Sequence, residues 1–303
     1  MALRLTLDIF SGRPNPVVVI DGPEEKELLQ RIGTGKKARP ASERFPAPLT
    51  HLGDRGVLVE PLLAPAPHGK AAPPVGSKSA ASLSLAGGLV HTRTRAFEPL
   101  DPQIEEFLCG RRGPFRLAGF DPFFLDFCRN ETWRLHEVMK LWPWKKWPRP
   151  KGTLCKCAPL WEPAWWNDAG QVQYNNNCYN YATNYRSDTY AQPGLAANAQ
   201  YQQIICPQVK VAAIADKLID TPNANNKCPQ EGHLVALVVG PRRDFHWYRK
   251  GRNGYWTHKP GGSQATPYDN SGKLIKDPRT ADRGFYTDFC SFMTVMHGHV
   301  KIR

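Results

Sequence analysis

The sequence lacks a long apolar run. No segment of the 303 residues approaches the roughly eighteen consecutive apolar residues that a membrane-spanning helix needs. Residues 1–10 alternate apolar and polar side chains and include Asp8, whereas a secretory signal peptide has an unbroken apolar core. We therefore expect no membrane span, no cleaved signal and a cytoplasmic location, with export by a route that needs no cleaved signal left open.

Acidic residues are few relative to basic ones. The chain has 27 Asp and Glu against 40 Lys and Arg, a formal net charge of +13. Such a charge attracts anionic partners. The basic residues lie mainly in loops, and there is no heptad repeat, zinc-finger spacing or RNP-type segment that would define a nucleic-acid-binding module. The composition thus predicts a basic surface with an anionic partner, and it disfavours nucleic acid as that partner.

Cysteine is too sparse for a small disulfide scaffold, since eight cysteines are spread over the chain. Cys155, Cys157, Cys206 and Cys228 would provide four ligands for a structural zinc ion, but their spacing is not that of a known zinc motif. Buried thiols in a reducing cell, or disulfides in an exported protein, are the alternatives. We expect no metal site and no cofactor.

Proline and glycine are abundant, at 28 and 25 residues, which favours short strands and loops and predicts an α+β fold. We expect a small α+β domain over residues 1–140, containing a hairpin, a short helix and disordered Pro/Ala-rich insertions at 33–50 and 62–88. A Trp/Pro-rich linker is expected at 141–160. The second domain, 161–303, is expected to pack a helix on an antiparallel sheet.

The clearest chemical signal is an asparagine run that ends in Cys178. The sequence after it is helical in pattern, so Cys178 should lie in the first turn, where the helix dipole stabilises a thiolate. Asn176, Asn177 and Asn180 either cap this helix or help to form an oxyanion hole with the Cys178 amide. Trp166, a few residues upstream, is a candidate for substrate contact.

A second hairpin follows, with strands at residues 233–239 and 244–249. If Val239 pairs with Asp244, His233 and His246 lie on one face of the sheet together with Asp244. A third strand is expected at 255–258, and one register allowed for its pairing places His258 directly across from His246.

Several histidines compete as the base for Cys178. We favour His233, which begins the first strand after the helical segment, because the Cys178 helix can pack against that edge of the sheet. His246 is the alternative base, or it binds substrate together with His258. Asp244 or Asn270 would orient the imidazole.

The order of a cysteine at a helix start and a histidine before an apolar strand resembles the papain and bacterial cell-wall amidase superfamily, over roughly residues 160–295. The usual residues of that superfamily around the cysteine are missing. The resemblance implies a papain-like cysteine hydrolase, a peptidase or amidase that cleaves an amide bond in a peptide or cell-wall fragment. Cys178 would attack the carbonyl and His233 would carry the proton.

Three other segments, at residues 10–16, 175–184 and 191–194, are similar to segments of bacterial proteins of unassigned function, which implies a bacterial origin. Two non-hydrolase alternatives stay open. The first is a non-catalytic glycan- or peptide-binding module, and the second is a bacterial toxin or effector with a basic docking domain. The binding module would use an aromatic surface formed by Trp165, Trp166, Tyr174, Tyr179 and Trp247.

Overall fold

The computed structural model describes residues 2–33, 39–40, 52–62, 83–86, 89–92, 95–97, 99–128, 155–168 and 170–303. They form helices and antiparallel sheets, so the predicted α+β class is confirmed. The chain forms two compact units. The first contains Met1–Ile9, Asn15–Leu49 and Asp54–Trp142, and the second contains Phe10–Pro14, Thr50–Gly53 and Pro143–Arg303.

The first unit is built on a seven-stranded sheet in the order β2-β1-β4-β5-β6-β7-β3. Its strands are β1 (Ala2–Leu7), β2 (Val17–Asp21), β3 (Arg39–Pro40), β4 (Val57–Leu62), β5 (Leu83–Ala86), β6 (Leu89–His91) and β7 (Arg95–Phe97). Its helices are α1 (Gly22–Ile32), α2 (Ile104–Cys109), α3 (Pro114–Leu117) and α4, which includes residues 122–128.

Local sequence pattern explains the start of this unit. Alternate residues of β1 are buried, as a strand with one core face requires. In α1 a proline occupies the first turn, two glutamates lie near the positive end of the helix dipole, and Leu28 and Ile32 are buried. The predicted hairpin and short helix are therefore present.

Part of the predicted organisation lies outside the described residues. Most of the two Pro/Ala-rich insertions, at 33–50 and 62–88, belongs there, as do residues 129–140 of the helix that we expected at 121–140 and residues 141–154 of the predicted linker. Residues 155–160 belong to the second unit.

The second unit has a five-stranded sheet in the order β11-β10-β9-β12-β8. Its strands are β8 (Ile219–Asp220), β9 (His233–Gly240), β10 (Asp244–Lys250), β11 (Trp256–His258) and β12 (Asp288–Val295). Its helices are α5 (Pro163–Trp166), α6 (Gln171–Asn175), α7 (Cys178–Thr183) and α8 (Cys206–Ala215), with a 3-10 turn at Pro222–Ala224.

The core of the second unit lies between one face of this sheet and the helices α7 and α8. All eight residues of β9 are buried, which accounts for the apolar sequence from Leu234 to Val239. Val235, Leu237 and Val239 from β9 pack with Cys178 and Tyr179 of α7. The expected arrangement of a helix on an antiparallel sheet is present here.

The predicted register of the β9–β10 hairpin is wrong by one residue. Asp244 pairs with Gly240 rather than with Val239, and His246 therefore lies opposite Val238. Because side chains alternate along a strand, this shift places His233 and His246 on opposite faces of the sheet. His258 pairs with Tyr248, so it is a diagonal neighbour of His246 and does not lie directly across from it.

Two disulfides hold the second unit, Cys155–Cys228 and Cys206–Cys290. Three of the four cysteines considered as zinc ligands are therefore used in disulfides, while Cys157 is a free, exposed thiol. In the parts of the chain that the structure describes, no cluster of three or more histidine, cysteine or acidic side chains is arranged to hold a metal ion. Over the same residues, no helix combines the length and apolar character needed to cross a membrane.

Candidate functional site

The asparagine run builds the N-terminus of α7. Asn177 is the N-cap, and its side-chain oxygen accepts hydrogen bonds from the backbone amides of Tyr179 (3.0 Å) and Asn180 (3.2 Å). The Asn180 side chain accepts in return from the Asn177 amide at 3.1 Å, which completes a capping box. Cys178 is thus the first residue of a helix, as predicted.

The environment of Cys178 is nevertheless apolar and closed. Its side chain is fully buried, and its sulfur lies 4.0 Å from the carbonyl oxygen of Phe245. Burial raises the pKa of the Cys178 thiol well above its usual value, and the nearby Asp244 carboxylate adds to this. The effect of burial outweighs the dipole of a six-residue helix, so Cys178 stays a thiol.

Among the described residues, His233 forms no hydrogen bond with Cys178. Its Nε2 atom is 2.7 Å from the carbonyl oxygen of Ala182, an arrangement that fixes the proton on Nε2 and leaves Nδ1 unprotonated. Burial lowers the pKa of His233 to about 3. The His233 imidazole is therefore not hydrogen-bonded to the sulfur of Cys178, as a catalytic base would be.

Asp244 anchors the segment Ser11–Arg13 of the second unit. Its carboxylate accepts hydrogen bonds from the backbone amides of Ser11 (2.6 Å), Gly12 (3.2 Å) and Arg13 (3.2 Å). The Tyr286 hydroxyl donates a further hydrogen bond at 2.6 Å. Asp244 thus fills a backbone nest and does not orient a histidine.

The same segment is bound from its other side by two amide side chains. The carbonyl oxygen of Gly12 accepts from Asn177 Nδ2 and from Gln192 Nε2, both at 2.7 Å. A side chain at Gly12 would not fit, because a Cβ atom there would lie 2.5 Å from the Phe245 ring. We call this group, formed by Ser11–Arg13, Asn177, Asn180, Gln192 and Asp244, the buried polar core.

The buried polar core brings together three segments that the sequence analysis singled out. The three segments singled out at residues 10–16, 175–184 and 191–194 meet in it, although up to about 180 residues separate the hydrogen-bonded partners Gly12 and Gln192. The sequence comparison of these segments implied a bacterial origin and no activity, and only the structure shows that they contact one another.

His246 and His258 do meet, on the sheet face opposite Cys178. His246 Nε2 lies 2.9 Å from His258 Nδ1, and His258 Nε2 lies 2.9 Å from the carbonyl oxygen of Tyr268. The carbonyl requires a proton on His258 Nε2, so His246 donates to His258. Both histidines are fully buried, and the pair links β10, β11 and the loop after β11.

The remaining predicted site residues also make internal contacts. Asn270 is bound to Leu52 through both of its side-chain polar atoms, at 2.6 and 2.7 Å. Asn176 donates to the Val172 carbonyl and to Asp188. Trp166 is buried edge-on against Tyr181, with ring centroids 5.2 Å apart.

Sequence reasoning missed a buried cation. The Lys259 ammonium donates to the carbonyl oxygens of Gln173 (2.5 Å), Asn176 (2.5 Å) and Gly261 (2.7 Å). Two of these carbonyls belong to α6 and the residue that ends it, where the helix dipole favours a positive charge. No local pattern marks Lys259, because its partners come from a distant segment.

The aromatic surface that we considered for ligand binding does not form as expected. Tyr179 and Trp247 are fully buried and pack against each other with their rings tilted by 38° and the centroids 5.2 Å apart, and Trp166 is buried as well. Trp165 alone among the three tryptophans of that set is exposed. Most of the predicted site residues are thus buried and hydrogen-bonded inside the second unit, although a few buried atoms, such as His233 Nδ1, have no hydrogen-bond partner among the described residues.

Comparison with known proteins identifies a relative of this chain. No family model matches the chain, and no solved structure matches it. A curated relative, "Insoluble matrix shell protein 1" from Ruditapes philippinarum, is 44% identical over 141 residues, which cover 46% of this chain and 91% of the relative. The chain belongs to the family of insoluble matrix shell protein 1.

This relationship corrects three predictions. The hydrolase function is wrong, because a relative that makes up an insoluble shell matrix indicates a structural role and not a catalytic one. The labels cysteine peptidase and bacterial amidase are wrong for the same reason. The cytoplasmic location is wrong too, since a shell matrix protein points to a place outside the cell.

Proposed function

We propose that this protein is a non-enzymatic structural component of an insoluble extracellular matrix. The observation that carries the proposal is the 44% identity to insoluble matrix shell protein 1 over 91% of that relative. The arrangement of the second unit supports it, because the cysteine and histidines of the expected active site are all buried. The two disulfides support an oxidising, extracellular setting.

The proposal is tested by fractionating the secreted matrix of the source organism. The matrix is demineralised with a chelator and extracted with salt and detergent, and peptides of this chain are quantified by mass spectrometry in each fraction and in a cell lysate. We expect the peptides to concentrate in the residue that stays insoluble. Finding them mainly in the cell lysate would refute an extracellular matrix role.

We infer further that the partner of this protein in the matrix is an anionic polymer. The formal net charge of +13 supports this, because a basic surface attracts polyanions over several ångströms and the attraction weakens with salt. The purified chain should therefore sediment with a sulfated polysaccharide at low ionic strength and be released by about 0.5 M salt, where screening is strong. Equal binding to neutral dextran would contradict an anionic partner.

A further inference from the structure

Two exposed aromatic side chains and a cation lie on the surface of the second unit. Trp165, in α5, is 57% exposed, and Tyr185, after α7, is 45% exposed. The guanidinium carbon of Arg186 lies 5.7 Å from the centre of the Trp165 ring, which is cation–π contact distance. We call Trp165, Tyr185 and Arg186 the Trp165 platform.

The platform has a rigid base under α5. Trp166, next to Trp165, is buried against Tyr181, and the Tyr181 ring lies 3.9 Å below the guanidinium carbon of Arg249. Asn167, which ends α5, exchanges two hydrogen bonds with the backbone of Ala265, at 2.7 and 3.3 Å. Trp165 is therefore exposed on a fixed backbone.

The loop that carries Tyr185 and Arg186 is fixed by the asparagine run. Asn180 Nδ2 donates to the Tyr185 carbonyl at 3.1 Å and to the Ser187 hydroxyl at 2.7 Å. Asn176 and Asp188 form a reciprocal pair of hydrogen bonds at 2.6 and 3.1 Å. The two asparagines that we first considered for substrate binding thus position the loop from inside the protein.

The Arg186 guanidinium is available to an external anion. Within the described part of the chain it forms no hydrogen bond and no ion pair. Arg186 attracts its acidic neighbour Asp168 through charge alone, because the Asp168 carboxylate accepts its hydrogen bonds from the backbone amides of Gly170 (2.9 Å) and Gln173 (3.0 Å). The five N–H groups of Arg186 are therefore free to form charge-assisted hydrogen bonds with a ligand.

We propose that the Trp165 platform is a binding site for an acidic polysaccharide. The apolar C–H face of a sugar ring packs on Trp165 or Tyr185, while Arg186 binds a carboxylate or sulfate group of the same or the next sugar. The net charge of +13 draws the polymer to the protein, and the platform supplies a local geometry that a diffuse basic surface lacks. This inference rests on the proposed function and names the class of matrix partner.

The test measures the affinity of the purified full-length chain for chondroitin sulfate, with neutral dextran as the uncharged polymer. Trp165→Ala and Arg186→Gln should each weaken chondroitin sulfate binding about fivefold or more, the loss expected for one desolvated aromatic or cation contact. Val211→Ala, at an exposed apolar residue of α8, and Arg242→Gln, at an exposed arginine, remove similar groups elsewhere. Both control variants should change the affinity less than twofold.

The controls make the outcome decisive. If Arg242→Gln weakens binding as much as Arg186→Gln, the polymer is held by the overall charge and the platform is not its site. If dextran binds as tightly as chondroitin sulfate, the ligand class is wrong. Either result would overturn the platform site and leave the matrix role to be judged by the fractionation experiment alone.

Discussion

At the scale of the single residue, burial decides what Cys178 can do. The residue lies at a helix N-terminus, which favours a thiolate, but it is fully buried and lacks a histidine partner. Cys157, in contrast, is free and exposed. The reactivity of the two thiols is therefore set by access and solvation, and the order is the reverse of the one that the sequence suggested.

We predict that iodoacetamide labels Cys157 rapidly at neutral pH and leaves Cys178 unmodified in the folded protein. Peptide mass spectrometry over a time course gives the rate for each site. A matched control is the chain unfolded in urea without reductant, in which both thiols should react at similar rates. Rapid labelling of Cys178 in the native protein would contradict the closed environment described above.

His233 should make stability depend on pH. Burial lowers its pKa to about 3 in the folded protein, against about 6.5 in the unfolded chain. Because the unfolded state binds the proton more tightly, the stabilisation is complete above pH 6.5 and is lost as the pH falls from 6.5 towards 3, by about 1.4 kcal/mol per unit. His233→Gln keeps a donor for the Ala182 carbonyl but does not titrate.

Urea unfolding at pH 6.5 and pH 4.5 checks this prediction. Between these values the Gln variant should lose about 2 to 3 kcal/mol less stability than the wild type. His299→Gln, at an exposed position, is the control and should follow the wild type. Parallel profiles for the wild type and His233→Gln would mean that His233 does not carry the effect.

At the scale of the element, α7 depends on contacts beyond its own cap. The Asn177 oxygen accepts two amide hydrogen bonds within the helix, and its Nδ2 donates to Gly12 and to Ala191, the latter at 2.8 Å. All four hydrogen-bonding positions of the side chain are used. A residue that only capped the helix would be replaceable by any good cap.

We predict that Asn177→Asp destabilises the protein by about 3 kcal/mol or more, at least as much as Asn177→Ala. Aspartate caps an isolated helix as well as asparagine does, but here its carboxylate would be buried facing two carbonyl oxygens. Urea denaturation followed by tryptophan fluorescence gives the free energies of unfolding. Asn223→Asp, at an exposed position, should be nearly neutral, and recovery by Asp at position 177 would show that capping alone matters.

At the scale of the whole molecule, the disulfides should stabilise the fold in an oxidising environment such as the extracellular space. The Cys206–Cys290 bridge joins positions 84 residues apart, and closing a loop of that length stabilises a folded chain by about 4.5 kcal/mol in the chain-entropy description. We therefore expect the double variant Cys206→Ser/Cys290→Ser to lose 2 to 4 kcal/mol of unfolding free energy.

Differential denaturation of the double variant and the wild type measures this loss. Cys157→Ser is the control, because it removes an exposed cysteine without removing a bridge. Cys109→Ser also leaves both bridges intact, but its buried site can lower stability for another reason. An unchanged unfolding midpoint for the double variant would show that the bridge does not stabilise the second unit. A large loss would agree with a protein that matures where disulfides persist.

Several features could be predicted from the sequence because their causes are local. The alternation in β1, the proline and acidic residues of α1, the apolar run of β9 and the cap before Cys178 each act within a few residues. The α+β class followed from the same patterns. The sequence by itself thus determined most of the elements around the site and the start of α7.

Only the tertiary structure decided what those elements do together. Three features depend on how distant parts of the chain pack and become buried against one another. They are the register of β9 and β10, the pairing of the disulfide cysteines, and the contact of Asp244 with Ser11, 233 residues away. The asparagines and histidines that were candidate catalytic residues are buried, and in the structure they form internal hydrogen bonds. Local pattern does not carry this information, because the energy of a buried polar group is set by partners that the chain brings from far away.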